Sequence, residues 1–223
     1  SWNAARSPRS EIRLPKGRRK PAFCFAPATM THPRAAFITG ASEGIGAALA
    51  RRYAARGWTV GLVARRRELL ENVARDLRAP ACLYPVDVRD AASLRDAAHD
   101  FIAKAGVPEV VIANAGVSAG NLTEIGDDLE VCEWIFDVNV IGVARTLQPF
   151  VGPMREARRG RLVGIASVAG IRGMPGAGAY CSSKSAVITY LESLRVELRG
   201  TGVGVTTLLP GYIATSMTDK NPY

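Results

Sequence analysis

Short apolar runs alternate with longer amphipathic segments along the chain after Met30. Apolar runs of this kind, bounded by glycine and polar residues, predict strands that are buried on both faces. Six such strands are predicted, at Ala35–Thr39, Thr59–Ala64, Ala81–Val86, Val110–Ala113, Arg161–Ala166 and Val203–Leu209. The segments between them predict helices at Ile45–Arg56, Glu68–Arg78, Ser93–Ala105, Asp127–Gln148 and Tyr180–Leu198. This alternation predicts one α/β domain over residues 30–223, a doubly wound parallel sheet with helices on both faces.

A glycine-rich turn follows the first predicted strand directly. It has the spacing G-x-x-x-G-x-G at Gly40, Gly44 and Gly46, and a good helix former comes after it. Glycines let the backbone approach a pyrophosphate closely, while the start of the helix supplies amide donors and a positive dipole end. The order strand, glycine turn, helix therefore favours a dinucleotide site over a glycine turn without a ligand.

Tyr180 and Lys184 are four residues apart in a predicted helix. Residues at this spacing share one helix face, so the ammonium would lie beside the phenol. A neighbouring cation favours the phenolate and lowers the phenol pKa toward neutrality. Tyr-x-x-x-Lys is frequent on solvated helix faces, so the pair indicates catalysis only in combination with the glycine turn.

Together with further motifs, these residues resemble the single-domain short-chain dehydrogenases/reductases. The resemblance extends from Arg34 to Thr218 and follows the order of motifs that is typical of the family. Ser167 precedes Tyr180 by thirteen residues, as in the family, whereas Ala113 stands where many members carry a first asparagine. The remaining motifs are Asp87-Val88, Asn114-Ala115-Gly116, Asn139 and Pro210-Gly211 with Thr215.

The resemblance implies a role for each candidate catalytic residue. Tyr180 would transfer a proton to or from the substrate oxygen while a hydride moves between nicotinamide and carbon. Lys184 would lower the pKa of Tyr180 and bind the nicotinamide ribose. Ser167 would hold the substrate oxygen, and Asn139 would support a water link between Lys184 and solvent. The implied substrate is a small carbonyl compound or secondary alcohol, and the full-length form is expected to be a homo-oligomer.

The resemblance also implies a set of nucleotide-binding residues. They are Gly40, Ser42, Gly44, Ile45, Gly46, Arg65, Arg66, Asp87, Val88, Asn114, Ala115, Gly116, Tyr180, Lys184, Pro210, Gly211, Ile213 and Thr215. In proteins that select NAD(H), an acid about 20 residues after the glycine turn holds the ribose 2′-hydroxyl. Here that position carries Arg65, which suits the 2′-phosphate of NADP(H). Glu43 in the turn opposes this preference, so NADP(H) is favoured and NAD(H) is the alternative.

The net charge of +9 belongs mostly to the first 29 residues. This segment holds seven of the 29 basic side chains and one of the 20 acidic ones, so it carries +6 and the rest +3. Its prolines and its lack of a hydrophobic period predict disorder. Four interpretations stay open: a non-native extension upstream of Met30, a transit peptide, a basic arm for polyanions, or a signal-peptide core at residues 22–26. The nearly balanced remainder predicts no nucleic-acid partner.

The remaining composition predicts a cytoplasmic enzyme that works without a metal. No apolar run approaches the ~20 residues that span a bilayer. The four cysteines, Cys24, Cys82, Cys132 and Cys181, show no C-x-x-C pair or disulfide pattern, and the two histidines, His32 and His99, are far apart.

The end of the chain departs from the family. Members usually continue past Pro210–Thr215 into a helical substrate lid and a seventh strand, whereas this chain stops at Tyr223. The resemblance therefore implies a C-terminally truncated sequence without the last strand and the lid, and we expect low stability and weak turnover. An inactive fragment, a non-catalytic nucleotide-binding Rossmann protein and a polyanion-binding protein that uses the basic segment are the alternative hypotheses.

Overall fold

The structure is a computed structural model that describes residues 34–215. The predicted basic extension and the last eight residues lie outside the described residues. Within residues 34–215 there are six strands, β1 Ala35–Thr39, β2 Thr59–Val63, β3 Ala81–Tyr84, β4 Val110–Ala113, β5 Gly160–Ile165 and β6 Val203–Leu208. The same residues form six α-helices, α1 Gly44–Ala54, α2 Arg67–Arg75, α3 Ala91–Ala105, α4 Asp128–Phe136, α5 Gly142–Glu156 and α6 Gly178–Glu197.

The six strands form one parallel sheet in the order β3-β2-β1-β4-β5-β6. The chain runs outward from β1 to one edge, returns to β4 beside β1, and continues to the other edge. The carboxyl ends of β1 and β4 therefore diverge into a crevice, where parallel α/β sheets bind their ligands. This topology confirms the predicted doubly wound α/β fold.

Two apolar cores cover the two faces of the sheet. Successive residues of β1 point to opposite faces, so Phe37 packs with Phe101 and Phe150, and Ile38 packs with Leu62 and the helices α1 and α2. All five residues of β1 are buried. The helices α3, α5 and α6 supply the first core, so each face of the sheet has its own helical layer, as the alternation of elements predicts.

Gly61 makes room for the aromatic cluster of the first core. A Cβ at this position of β2 would lie 2.6 Å from Phe37 Cδ2 and 2.9 Å from Phe101 Cδ2. The ring centroids of Phe37 and Phe101 are 5.4 Å apart, and those of Phe37 and Phe150 are 4.9 Å apart. A glycine in the middle of a strand is therefore used here to seat three tilted rings over the sheet.

The predicted helix at Asp127–Gln148 is interrupted. A π-helical segment, Asp137–Ile141, separates α4 from α5. The helix also continues to Glu156, past Pro149 and Pro153. Proline normally ends a helix because it lacks an N–H donor, but these two lie four residues apart, so both missing hydrogen bonds fall on one helix face.

Candidate active site

The glycine-rich turn brings the end of β1 against the end of β4. Gly40 and Gly44 have left-handed φ angles of 65° and 54°. A Cβ at Gly40 would lie 2.8 Å from Asn114 Nδ2, and a Cβ at Gly46 would overlap the Gly40 carbonyl oxygen. The turn therefore needs glycine at these positions, and it leaves a shallow cradle lined by backbone at the start of α1.

Thr39 and Asn114 lock this turn to β4. Asn114 Nδ2 donates hydrogen bonds to the carbonyl oxygens of Thr39 at 3.0 Å and Gly40 at 3.1 Å. The backbone N–H groups of Asn114 and Ala115 donate to Thr39 Oγ1 at 3.2 and 3.3 Å. The two strand ends at the crevice are therefore held together by side chains, and the shape of the cradle is fixed before any ligand enters.

One cleft of about 250 Å³ runs along the carboxyl ends of the strands. Most of the predicted site residues line it: Gly40, Ser42, Gly44, Ile45, Arg65, Arg66, Asp87, Val88, Asn114, Ala115, Gly116, Ser167, Tyr180, Lys184, Pro210, Gly211, Ile213 and Thr215. Gly46 and Asn139 are not among the lining residues. Both are buried directly behind residues that line the cleft, Gly46 behind Gly40 and Asn139 behind Gly116.

Tyr180 and Ser167 are neighbours in the cleft. Burial raises the pKa of the Tyr180 phenol, and the side-chain hydrogen bond with Ser167 opposes this shift without cancelling it. Cys181 and Tyr212 raise the phenol pKa further. With the protein's own groups around it, the phenol has a raised pKa, so the prediction of a lowered pKa for Tyr180 is wrong. The burial that brings Lys184 near also removes water from the phenolate and disfavours it.

Ser167 is oriented by the turn that follows it. Its Oγ accepts a hydrogen bond of 3.1 Å from the N–H of Ala169, at the start of a 3₁₀ turn over Val168–Gly170. Because one lone pair of Oγ is used by this donor, the hydroxyl proton points elsewhere and can be donated within the cleft.

Lys184 is a buried cation behind Tyr180. Its Nζ donates to the carbonyl oxygen of Ile165 at 3.0 Å and lies 5.7 Å from the centroid of the Tyr180 ring. The residue is 5% exposed, and burial lowers the pKa of its ammonium to about 8. The two side chains thus share one helix face, as their spacing predicts.

Asn139 lies in the π-helical segment and joins it to the loop after β4. Its Oδ1 accepts from the Val117 N–H at 2.8 Å, and its Nδ2 donates to the Val117 carbonyl at 2.9 Å and to Ser183 Oγ at 3.1 Å. A Cβ at Gly116 would lie 3.4 Å from both Asn139 Oδ1 and Lys184 Nζ. The side chain of Asn139 therefore fixes the wall of the cleft next to Lys184.

Charged residues occupy the far end of the cleft. Arg66 Nη2 and Glu43 Oε1 form an exposed ion pair at 3.0 Å, whereas Arg65 lines the cleft beside them. Arg89 holds the Asp87 carboxylate with its backbone N–H, Nε and Nη2 at 2.9 to 3.2 Å. Burial acts to raise the pKa of Asp87, but the hydrogen bonds from Arg89 and the charge of Arg65 outweigh it, so this pKa is lowered.

The described chain ends above the glycine turn. The Val168 N–H donates to the Pro210 carbonyl at 3.1 Å, which ties the segment after β6 to the turn after β5. A Cβ at Gly44 would lie 3.2 Å from Thr215 Cγ2. Residues 210–215 therefore cross the cleft from the Ser167 end to the cradle.

Comparison with known proteins decides the family. The family model described as short chain dehydrogenase matches residues 34–222. The chain is also 40% identical over 193 residues to an uncharacterized oxidoreductase of Myxococcus xanthus, an alignment that covers 85% of this chain and 76% of that protein. The chain belongs to the short-chain dehydrogenase/reductase family. The resemblance predicted from the motifs is confirmed, and with it hydride transfer as the general kind of reaction.

Solved structures of short-chain dehydrogenases/reductases share this fold. One from Burkholderia phymatum in complex with NAD is 32% identical, with a TM-score of 0.78 over 84% of this chain and 68% of that chain. An alcohol dehydrogenase from Thermococcus sibiricus complexed with 5-hydroxy-NADP is 30% identical, with a TM-score of 0.74 over 81% of this chain and 77% of that chain. The two neighbours carry different nicotinamide nucleotides, so the choice between them depends on residues particular to each chain.

The cleft of this short-chain dehydrogenase/reductase fits a nicotinamide dinucleotide. Gly40 and Gly44 form a cradle that a Cβ would fill or strain, and it opens beside the first turn of α1. The side chain of Glu43, the N-cap residue, accepts no hydrogen bond from the helix amides, so the pyrophosphate of a dinucleotide could take that place.

Sequence reasoning missed several lining residues of the cleft. They are Val63, Ala64, Val86, Val117, Val138, Ile165 and Ala166, whereas Glu43, which also lines the cleft, was considered only for its charge. Most of them directly flank a predicted site residue at a strand end, and that position is the signal that could have found them. Val138 and Val117 are brought in only by the π-helical segment and the loop it holds.

Other predictions are tested in part by the described residues. No helix within residues 34–215 is both long and apolar enough to cross a membrane. In the same range, His, Cys, Asp and Glu side chains form no group of three or more that could hold a metal ion. The predictions about residues 1–29, the end of the chain, a homo-oligomer and a cytoplasmic location stay predictions.

Proposed function

We propose that this chain transfers a hydride between NADP(H) and a small carbonyl compound or secondary alcohol, with Tyr180 as the general acid and base. The observation that carries the proposal is that Tyr180 and Ser167 line the same cleft as the glycine cradle, with the buried Lys184 5.7 Å from the centroid of the Tyr180 ring. A bound reduced nucleotide supplies the hydride. The residues of the cleft then have two tasks, which are to exchange the proton and to position the substrate oxygen.

The raised pKa of Tyr180 favours the reducing direction. At neutral pH the phenol is protonated, so it can donate its proton to a carbonyl oxygen that gains negative charge as the hydride arrives. The Ser167 hydroxyl can turn its proton from the Tyr180 oxygen to the substrate oxygen, because the hydrogen bond from Ala169 uses a lone pair of Oγ and not this proton. Lys184, with a pKa of about 8, supplies a positive charge that stabilises the phenolate left behind.

The preference for NADP(H) is proposed from the charges at the far end of the cleft. Arg65 is exposed and lines the cleft, while Glu43 neutralises its neighbour Arg66 through their ion pair. A guanidinium binds a phosphate through charge-assisted hydrogen bonds, whereas the 2′-hydroxyl of NAD(H) offers it no charge. Arg65 is therefore the residue proposed to select the 2′-phosphate.

The substrate is proposed to be a neutral or partly apolar ketone, aldehyde or secondary alcohol. The turn and loop between Ser167 and Tyr180 expose Val168, Ile171 and Met174, and Arg172 is the charged residue among them. These side chains follow Ser167, which lines the cleft, and apolar surface next to a binding site favours a ligand with apolar surface of its own.

The substitution Tyr180→Phe tests the proton route. It removes the hydroxyl and keeps the ring, and we expect turnover of NADPH with a panel of ketones and aldehydes to fall by about 10²- to 10⁴-fold, the usual contribution of general acid catalysis. The dissociation constant of NADPH, measured by fluorescence titration, should change little.

Tyr190→Phe is the matched control, because Tyr190 lies on the same helix away from the cleft. It should keep the activity of the parent chain. Substantial turnover by Tyr180→Phe would contradict the proton route. Tight NADPH binding without turnover by the parent chain would favour a non-catalytic nucleotide-binding protein instead.

A further inference from the structure

The helix that carries Tyr180 begins without a cap of its own. α6 starts at Gly178, and the side chain of its N-cap residue, Ala177, accepts no hydrogen bond from the helix amides. The five residues at 171–175 before it are exposed. A helix start leaves its first N–H groups without partners in the helix, so the orientation of this first turn depends on contacts from elsewhere in the fold.

Asn121, in the loop after β4, supplies that contact. Its Oδ1 accepts a hydrogen bond of 3.0 Å from the N–H of Ala179, the residue directly before Tyr180. Its own backbone N–H donates to the Gly176 carbonyl at 2.9 Å, and the two segments form a parallel bridge between Asn121 and Ala177. Asn121 is buried, with 9% of its surface exposed, so water cannot easily replace this acceptor.

Lys184 is held by a different set of contacts one turn further along α6. It donates to the Ile165 carbonyl, and a Cβ at Gly170 would lie 2.8 Å from the Lys184 carbonyl carbon. The 3₁₀ turn thus packs directly on the helix backbone at Lys184. Loss of the Asn121 contact would therefore release the turn that bears Tyr180, while Lys184 and the nucleotide end of the cleft keep their places.

We propose that Asn121 is a positioning residue that caps α6 from a distance of 58 residues along the chain and thereby sets the position of the Tyr180 hydroxyl. The proposal rests on the proton-transfer role of Tyr180 proposed above. Asn121 lies in the same loop as Val117, which lines the cleft.

Two substitutions separate the acceptor oxygen from the volume of the side chain. Asn121→Leu keeps a similar size and removes the acceptor, whereas Asn121→Asp keeps an oxygen in place to accept from Ala179. We expect Asn121→Leu to lower kcat about 10- to 100-fold, the effect of a misplacement of about 1 Å. The KM for the carbonyl substrate and the Kd of NADPH should stay close to the parent values, and Asn121→Asp should restore most of kcat. Thr123→Val, an exposed change in the same loop, is the control.

Amide hydrogen exchange of residues 178–181 gives a readout that does not depend on turnover. We expect Asn121→Leu to speed exchange at Ala179 and Tyr180, and Asn121→Asp and Thr123→Val to leave it unchanged. An unchanged kcat in Asn121→Leu would overturn the proposal, as would equal losses in the Leu and Asp variants or a loss of NADPH binding in step with kcat. If the parent chain turns over no carbonyl compound, the proposed function fails. In that case hydrogen exchange at Ala179 is the only test of the cap. Unchanged exchange in Asn121→Leu would then contradict the proposal that Asn121 caps α6.

Discussion

At the scale of single residues, the cleft has an exposed charged end, proposed to select the nucleotide, and a buried end, proposed to exchange the proton. Arg65, Arg66 and Glu43 are exposed, so their charges are screened by water and each contributes modestly. Lys184 is buried, so its charge acts through a low dielectric and its own pKa is lowered. We therefore expect substitutions of the exposed charges to change the nucleotide preference, and a substitution of the buried Lys184 to have a large effect on turnover.

Two substitutions of opposite effect test the selection of the nucleotide. Arg65→Asp should weaken NADPH binding about 10- to 100-fold, because a charge-assisted hydrogen bond is lost and an acid faces the phosphate. The same change should leave NADH binding unchanged or improve it. Glu43→Gln frees Arg66 from its ion pair and should tighten NADPH binding by about twofold to fivefold, as expected for an exposed pair.

Fluorescence titrations with both nucleotides measure these effects. Arg67→Gln is the matched control, because Arg67 pairs with Glu71 at 3.9 Å in α2 and does not line the cleft. Equal NADPH affinity in the parent chain and in Arg65→Asp would refute the selection by Arg65.

The lowered pKa of Lys184 predicts that burying its ammonium, which the proposed reaction needs, makes the folded state less stable. The folded chain releases this proton near pH 8 and the unfolded chain near its ordinary value of 10.5. Between these two values the unfolded state binds more protons, so the free energy of unfolding rises with pH through this window. Below pH 8 both states are protonated, and the cost of burying the ammonium is at its full and constant size.

Lys184→Met should therefore abolish turnover and raise the free energy of unfolding at pH 7 by about 1 to 3 kcal/mol, since one pKa unit corresponds to about 1.4 kcal/mol. The gain should shrink as the pH approaches 10.5. Urea denaturation at several pH values measures it, with Lys104→Met as the control, because Lys104 is exposed and pairs with Asp100. A loss of stability at pH 7 in Lys184→Met would contradict the prediction.

At the scale of the elements, sequence patterns predict what local chemistry encodes and miss what distant contacts decide. All six strands lie where apolar runs predict them, because a strand buried on both faces needs a continuous run. The start of α3 at Ala91 is an exception, because the prediction places it two residues later although the signal is local. Asp90 Oδ1 accepts hydrogen bonds from the N–H groups of Ala92 and Ser93, and this N-cap is readable from the sequence.

The candidate site shows the same division. Gly40, Tyr180 and Lys184 stand out because each belongs to a motif with a fixed spacing. Asn121 does not, because its role depends on a contact with a helix that follows much later in the chain. The sign of the Tyr180 pKa shift also escapes the sequence, since the spacing gives the neighbour of a group and not the depth of its burial.

At the scale of the whole molecule, the cleft touches the ends of all six strands described in residues 34–215 and both layers of helices. Its lining includes residues after β1, β2, β3, β4 and β5 and the segment after β6. A ligand that fills it therefore contacts parts of the chain that come together only in the folded state. Binding to such a site stabilises the fold as a whole by mass action.

Thermal unfolding with added nucleotide measures this coupling in the full chain. NADPH at about 100 times its Kd should add about 2.7 kcal/mol, which for a domain of this size raises Tm by about 5 to 11 °C. NADH at the same concentration should give a smaller shift, and Arg65→Asp should remove the difference between the two. No shift with either nucleotide would contradict the proposed binding, and equal shifts would contradict the preference.

Because of the π-helical segment, the geometry of the site depends on the number of residues in the helical stretch between β4 and β5. Each residue added to or removed from a helix rotates everything beyond it by about 100°. Without one residue of Asp137–Ile141, the helix could close into regular α turns, but either Asn139 would lose Val117 or Leu147 and Phe150 would leave the core. An insertion or deletion of one residue in this stretch is therefore a larger change than most substitutions here, because a chain that differs in this way would need another contact to hold the wall beside Lys184.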